Sequence, residues 1–112
     1  MPFYDFRDIA EELVTPDKST AMARMITGSQ VELAILRFNA GEGAKVHSHP
    51  QEQILYMLKG RMKVTTEGAE TVIGPGEAAH FAPNVPHGTV MLDDVECISV
   101  KSVIDGLGHR SS

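Results

Sequence analysis

Cysteine and tryptophan are almost missing from these 112 residues: Cys97 is alone and tryptophan is absent. A lone cysteine excludes an internal disulfide framework and a cysteine-only zinc site, so any metal must be held by His, Asp, Glu or Gln. Positive charge is scarce and scattered, with ten Lys and Arg against fifteen Asp and Glu and a formal net charge of −5. There is no electrostatic footprint for nucleic-acid phosphates or for an anionic membrane surface. Long apolar runs are missing too. The longest, Ile54 to Leu58, is five residues, against the roughly 20 of a bilayer-spanning helix. The opening MPFYDFRD lacks the basic and apolar regions of a secretory signal, and a cytoplasmic location is expected.

What is present is a succession of short β-branched and aliphatic segments cut by Gly, Pro or Asn. That is the pattern of an all-β sandwich or barrel. Strands are expected near Ala21 to Thr27, Val31 to Phe38, Lys45 to His47, Glu52 to Leu58, Arg61 to Thr66, Glu70 to Ile73, Ala78 to Ala82, His87 to Leu92 and Val95 to Val103. A chain of this length is expected to be one domain, residues 1–112, with its core within 21–103. At its head, Asp8-x-x-Glu11 in DIAEELV resembles a capping box and predicts a short N-terminal helix or arm. VELAILRF and QILYML are apolar on both parities, so both faces need cover. A second copy of the chain is the simplest cover for the outer one, which predicts a homodimer with Tyr56 on the packed face.

The chemistry-bearing stretch is KVHSHPQEQILYMLKG, from Lys45 to Gly60. Residues i and i+2 share a strand face, so His47 and His49 present two imidazoles side by side, as a chelate requires. Gln53 opens the next strand and is followed on its parity by Leu55 and Met57, so that a polar patch grades into an apolar wall. Glu52 stands beside it as the alternative fourth ligand. His87, in APNVPHGTV, supplies a third imidazole from a distant strand. His80, in AAHFAP, has no partner ligand in register and reads as a surface or satisfied histidine, and His109, in GLGHRSS, as part of a mobile tail.

These residues resemble the two motifs of the cupins. Gly41, His47, His49, Gln53 and Gly60 fall on the first motif, with glutamine in place of its acid. Gly76 and His87 fall on the second, where Ala82, Asn84 and Met91 replace its Pro, Gly and Asn. The resemblance spans about Ala21 to Val103. It implies a small β-barrel jelly roll and a divalent metal ion (Zn, Ni, Mn or Fe) held by His47, His49, Gln53 and His87. Among small cupins the string HSHPxxQ…YxLxGR…GPGE…PNVPHG is most similar to the uronate-processing proteins of pectin and alginate breakdown. That similarity implies metal-assisted ring opening of a 4,5-unsaturated uronic acid. The last strand departs from that group: CISVKSVIDG offers Ser99 and Lys101, with Asp105 about where the group has an arginine.

Three neutral imidazoles and a carboxamide leave the ion close to its full +2 charge, a strong Lewis acid for a small oxygenated acid. One strand parity turns Cys97, Ser99 and Lys101 inward, making Lys101 and Ser99 candidate catalytic residues; the other makes Lys101 a solvated surface charge. Cys97 reads as a small buried hydrophobe. Arg37 reads equally well as a binder of a substrate carboxylate or as an edge-exposed residue. The leading expectation is a non-redox isomerase or lyase. Its alternatives are an Fe(II) dioxygenase, with Met57, Met62 and Met91 lining an oxygen-accessible cavity, and a metal-loaded binding or sensor module without turnover.

Overall fold

The structure is a computed structural model and describes residues 2–110. Ten strands follow one another: β1 (Glu12–Leu13), β2 (Met22–Thr27), β3 (Val31–Phe38), β4 (Gly43–His47), β5 (Gln53–Lys59), β6 (Met62–Thr66), β7 (Ala69–Ile73), β8 (Ala78–Phe81), β9 (His87–Met91) and β10 (Val95–Ser102). They form two antiparallel sheets, one in the order β1-β2-β3-β10-β5-β8 and the other β4-β9-β6-β7. Among the described residues the helical content is one 3-10 turn, Phe6–Asp8, and no helix is long and apolar enough to cross a membrane.

The core lies between the sheets, and strand parity decides what enters it. On β3 the residues Glu32, Ala34, Leu36 and Phe38 are buried, and on β10 Val95, Cys97, Ser99 and Lys101. Antiparallel register aligns these inward residues in rows across three strands. Leu36, Cys97 and Met57 form one row, Ala34, Ser99 and Leu55 the next, and Glu32, Lys101 and Gln53 the last. The second sheet grades the same way, from Met62 opposite Met91, through Val64 opposite Thr89, to His87 opposite His47. The interior is therefore apolar at one end and polar at the other. Full burial of Met57, Met62, Met91 and Phe81 stabilises the apolar end by roughly 1.5–3 kcal/mol per side chain. Met57 and Met91 belong to this packed core, and Met62 both packs in it and lines the cavity above it.

The N-terminal helix predicted from DIAEELV does not form. The 3-10 turn is capped by Asp5, whose carboxylate accepts from Arg7 N–H, and Glu12 and Leu13 pair with Ala23 and Met22 at the edge of the first sheet. The capping-box residue Glu11 instead binds Arg37. A helix of two turns is marginal on its own, and here the sheet edge offers main-chain partners that satisfy the segment directly.

The Lys59-Gly60 corner shows why a glycine is required there. Gly60 has φ +78°, and a Cβ on it would collide with the Asp94 carbonyl oxygen. Gly60→Ala should therefore destabilise the protein by about 1–3 kcal/mol, readable as a lower urea midpoint with unchanged slope. An unshifted midpoint would mean the turn relaxes freely.

Candidate metal centre

Three imidazoles meet at the polar end of the interior. His47 closes β4 and lies in register with His87, the first residue of β9; His49 sits in the following loop. Their ring centroids are 4.7 Å (His47–His87), 4.9 Å (His49–His87) and 5.5 Å (His47–His49) apart, and one nitrogen of each lies within 4.8 Å of the others. Every ring is oriented from behind. Nδ1 of His47, His49 and His87 faces the main-chain oxygen of Lys45, Gln51 and Val85 at 2.6, 2.8 and 2.9 Å. A carbonyl only accepts, so each Nδ1 carries the proton and each Nε2 keeps its lone pair, the tautomer a metal requires. Phe81 stacks on His87 at 3.9 Å and completes its support.

Burial disfavours the charged imidazoles. It pulls His49 and His87 down to about 4 and lowers His47 as well, with the Lys101 ammonium adding to the effect on all three. At neutral pH the cluster is uncharged.

Gln53 completes the set. Its Oε1 lies 3.2 Å from His49 Nε2, and its Nε2 donates to Ser99 Oγ at 3.0 Å. Both facing atoms, Oε1 and Nε2, are then acceptors, and no proton joins them. A cation between them resolves the repulsion: two donors about 2.1 Å from one ion stand roughly 3.0–3.4 Å apart. The residues therefore fit a divalent ion with three imidazole nitrogens and one amide oxygen. Glu52, the alternative ligand, points to solvent and pairs with His80.

Lys101 faces this cluster from β10, next to Gln53 in register. It is 5% exposed and shares a cavity lined by Leu36, Leu55 and Met62, and its ammonium makes no hydrogen bond or ion pair with any described residue. Burial lowers its ammonium to about 8; Glu32 opposes the shift and Lys18, at the cavity mouth, adds to it. Ser99 is fully buried and spends its hydroxyl on Gln53 and His109, so it touches a ligand residue and no substrate. Arg37 faces outward and pairs with Glu11, away from the cavity. Cys97 is buried in the core, where desolvation raises its thiol to about 12 and leaves it inert.

His109 is the largest departure from the sequence reading. Far from being mobile tail, it is 5% exposed; its main-chain N–H and its Nδ1 both bind Glu32 Oε1, at 2.6 and 2.5 Å. The available signal was Glu32, an acid on the buried parity of β3 that needed a proton donor. Burial raises the Glu32 carboxyl, but hydrogen bonds from His109 and Thr27 outweigh it and hold it down at about 2. Burial lowers His109 despite that carboxylate, so the pair is an ionised Glu32 and a neutral His109.

The sign of the resulting pH dependence follows. Glu32 moves from 4.5 unfolded to about 2 folded, so its contribution to stability is complete above 4.5 and is lost as pH falls through about 2. Denaturant unfolding of the protein and of Glu32→Gln across that window should show their stability difference shrinking towards acid pH. A difference independent of pH would contradict an ionised Glu32.

The fold is shared with known proteins. The fold matches an RmlC-like cupin from Shewanella frigidimarina with a TM-score of 0.81 at 21% identity, over 91% of this chain and 90% of that one. It matches KdgF from Halomonas sp. with a TM-score of 0.79 at 23% identity, over 91% and 93%. An S161A mutant of Bacillus subtilis oxalate decarboxylase matches with a TM-score of 0.72 at 22% identity, over 88% of this chain but 28% of that one. Among curated proteins none matches the sequence. The cupin domain model matches residues 34–101, more than half of the sequence and all four residues around the centre, and the chain belongs to the cupin family.

Proposed function

We propose that the protein is a metal-dependent isomerase or lyase that carries out non-redox proton transfer on a small oxygenated acid, such as the opening of an unsaturated uronate. The observation that carries the reading is the neutral donor set, three Nε2 atoms and the Gln53 oxygen, facing a buried ammonium, Lys101, that is paired with no described residue. The similarity of the motif string HSHPxxQ…GPGE…PNVPHG to the uronate-processing cupins supports the substrate class.

When bound, the ion supplies Lewis acidity that polarises a substrate oxygen without change of oxidation state. The remaining work falls to the chain. The apolar walls Leu36, Leu55 and Met62 keep bulk water from the reacting atoms and strengthen each charge interaction within. Lys101 attracts the substrate carboxylate. With a value of about 8 it is mostly protonated at neutral pH yet loses its proton readily, so the same side chain can give a proton to carbon and take one from a hydroxyl. Ring opening needs that pair of events and nothing else: one proton leaves the hemiacetal oxygen as the ring C–O bond breaks, and one is delivered to the former alkene carbon.

The outer face of the first sheet supports a homodimer. Leu33, Val100 and Ile54 form one row across it, and Ile35, Ile98 and Tyr56 the next, with Leu33, Ile54 and Tyr56 exposed. A second copy covers this apolar band, and both signs of charge at its margin, Arg24 and Arg37 against Glu96, suit a two-fold contact.

Elemental analysis of the purified protein beside His87→Ala is the first test; stoichiometric metal lost in the variant is expected. Lys101→Met should keep the metal and lower turnover of an unsaturated uronate by roughly 10²–10⁴-fold, and undiminished turnover would remove Lys101 from the mechanism. Iron-dependent oxygen uptake would replace the isomerase reading with an oxygenase. Ile54→Glu should convert a dimer to a monomer in light scattering, and a monomeric parent would end the dimer proposal.

A further inference from the structure

Four buried side chains run in one hydrogen-bonded line from the interior to the metal centre. Glu32 accepts from His109 Nδ1–H at 2.5 Å. With Nδ1 donating, His109 Nε2 is an acceptor and takes the Ser99 hydroxyl proton at 2.6 Å. Ser99 Oγ, its proton committed, accepts from Gln53 Nε2 at 3.0 Å. The one polar atom of the line that finds no proton is Gln53 Oε1, and it faces His49 Nε2. Every donor in the line points towards the carboxylate.

With an ion taking up the lone pairs of His49 Nε2 and Gln53 Oε1, this order leaves the amide a single orientation. Were Gln53 turned over, its oxygen and His109 Nε2 would both seek the one Ser99 proton, and one buried acceptor would stay bare at a cost of about 1–3 kcal/mol. The line also polarises in one sense. Aligned hydrogen bonds in a low-dielectric interior strengthen one another, and withdrawing density from the amide N–H by an anion-backed acceptor moves electrons towards the amide oxygen. Glu32 is fixed at its far end by the His109 main-chain N–H and the Thr27 hydroxyl. The close approach of Gly108, where a Cβ would lie 2.7 Å from Glu32 Oε1, brings His109 onto the carboxylate.

We infer that Glu32, His109 and Ser99 form a positioning relay that orients Gln53 and enriches its amide oxygen, so that the negative charge absent from the ligand set acts on the metal from three hydrogen bonds away. The three are positioning residues: none reaches the ion or a substrate. The inference rests on the metal-binding reading above, and its test reads metal affinity instead of turnover.

The full-length protein, stripped of metal, would be titrated calorimetrically with Zn²⁺, and its Co²⁺ complex examined by visible absorption. Ser99→Ala should bind Zn²⁺ roughly 10–100-fold more weakly, the usual effect of losing a partner that orients a ligand, and should shift the Co²⁺ bands. Glu32→Gln should weaken binding in the same range. The combined Ser99→Ala, Glu32→Gln variant should lose clearly less affinity than the sum of the two single losses, because along the relay Glu32 acts through Ser99. Ser99→Ala removes a single oxygen, so it reads the relay even if Glu32→Gln does not fold. Unchanged affinity and spectrum in Ser99→Ala would overturn the relay and leave the metal centre standing, as would additive losses in the combined variant. A parent protein that binds neither ion would overturn the metal reading, and the relay with it.

Discussion

Everything in this molecule turns on the two-residue alternation of β10. The strand lies between β3 and β5 in the six-stranded sheet, so one parity must enter the interior and the other must leave it. Val95, Cys97, Ser99 and Lys101 go in, and Ile98 and Val100 go out. A slip of one residue would expose Ser99 and Lys101 and push the aliphatic pair into the polar end of the cavity. The two neighbouring strands prevent it, since each is locked to β10 in register along its inner row.

That register produces the gradient on which the chemistry depends. Each inner row adds polarity towards one end, from Leu36, Cys97 and Met57 to Glu32, Lys101 and Gln53. The apolar rows hold the sheets together and the polar row receives the three histidines from the second sheet and its loop. The stability of the core and the low dielectric of the site thus share one cause, the exclusion of water from between two sheets.

The electrostatics of the centre are unusual in where the charge resides. The groups around the candidate ion are neutral, while the nearest buried carboxylate, Glu32, lies behind them and is occupied by His109 and Thr27. Lys101 faces the histidines across the cavity and depresses their basicity. An anionic substrate would relieve that positive field, which adds to burial in keeping the ligands unprotonated.

Much of this was readable in the sequence because it is local. Strand parity put Gln53 with Leu55 and Met57, while His49 joins His47 from the loop after β4 and not from a shared strand face; Gly, Pro and Asn marked the turns; and the all-β class followed from short segments without helical periodicity. The jelly roll and the family followed from the resemblance of the two motifs to those of the cupins. What only the tertiary structure decided is long-range. The parity of Lys101 was open until β3 and β5 were placed beside β10, and the choice between Gln53 and Glu52 until the histidines converged. The burial of His109 depends on Glu32, which lies 77 residues away, and no local pattern links them. The N-terminal segment likewise had a capping signal and apolar residues at helical spacing, Ile9 with Leu13 and Ala10 with Val14, yet the free edge of β2 determined its conformation. Periodicity reports which way a side chain points along its own strand; which partner it meets there is set by the path of the whole chain.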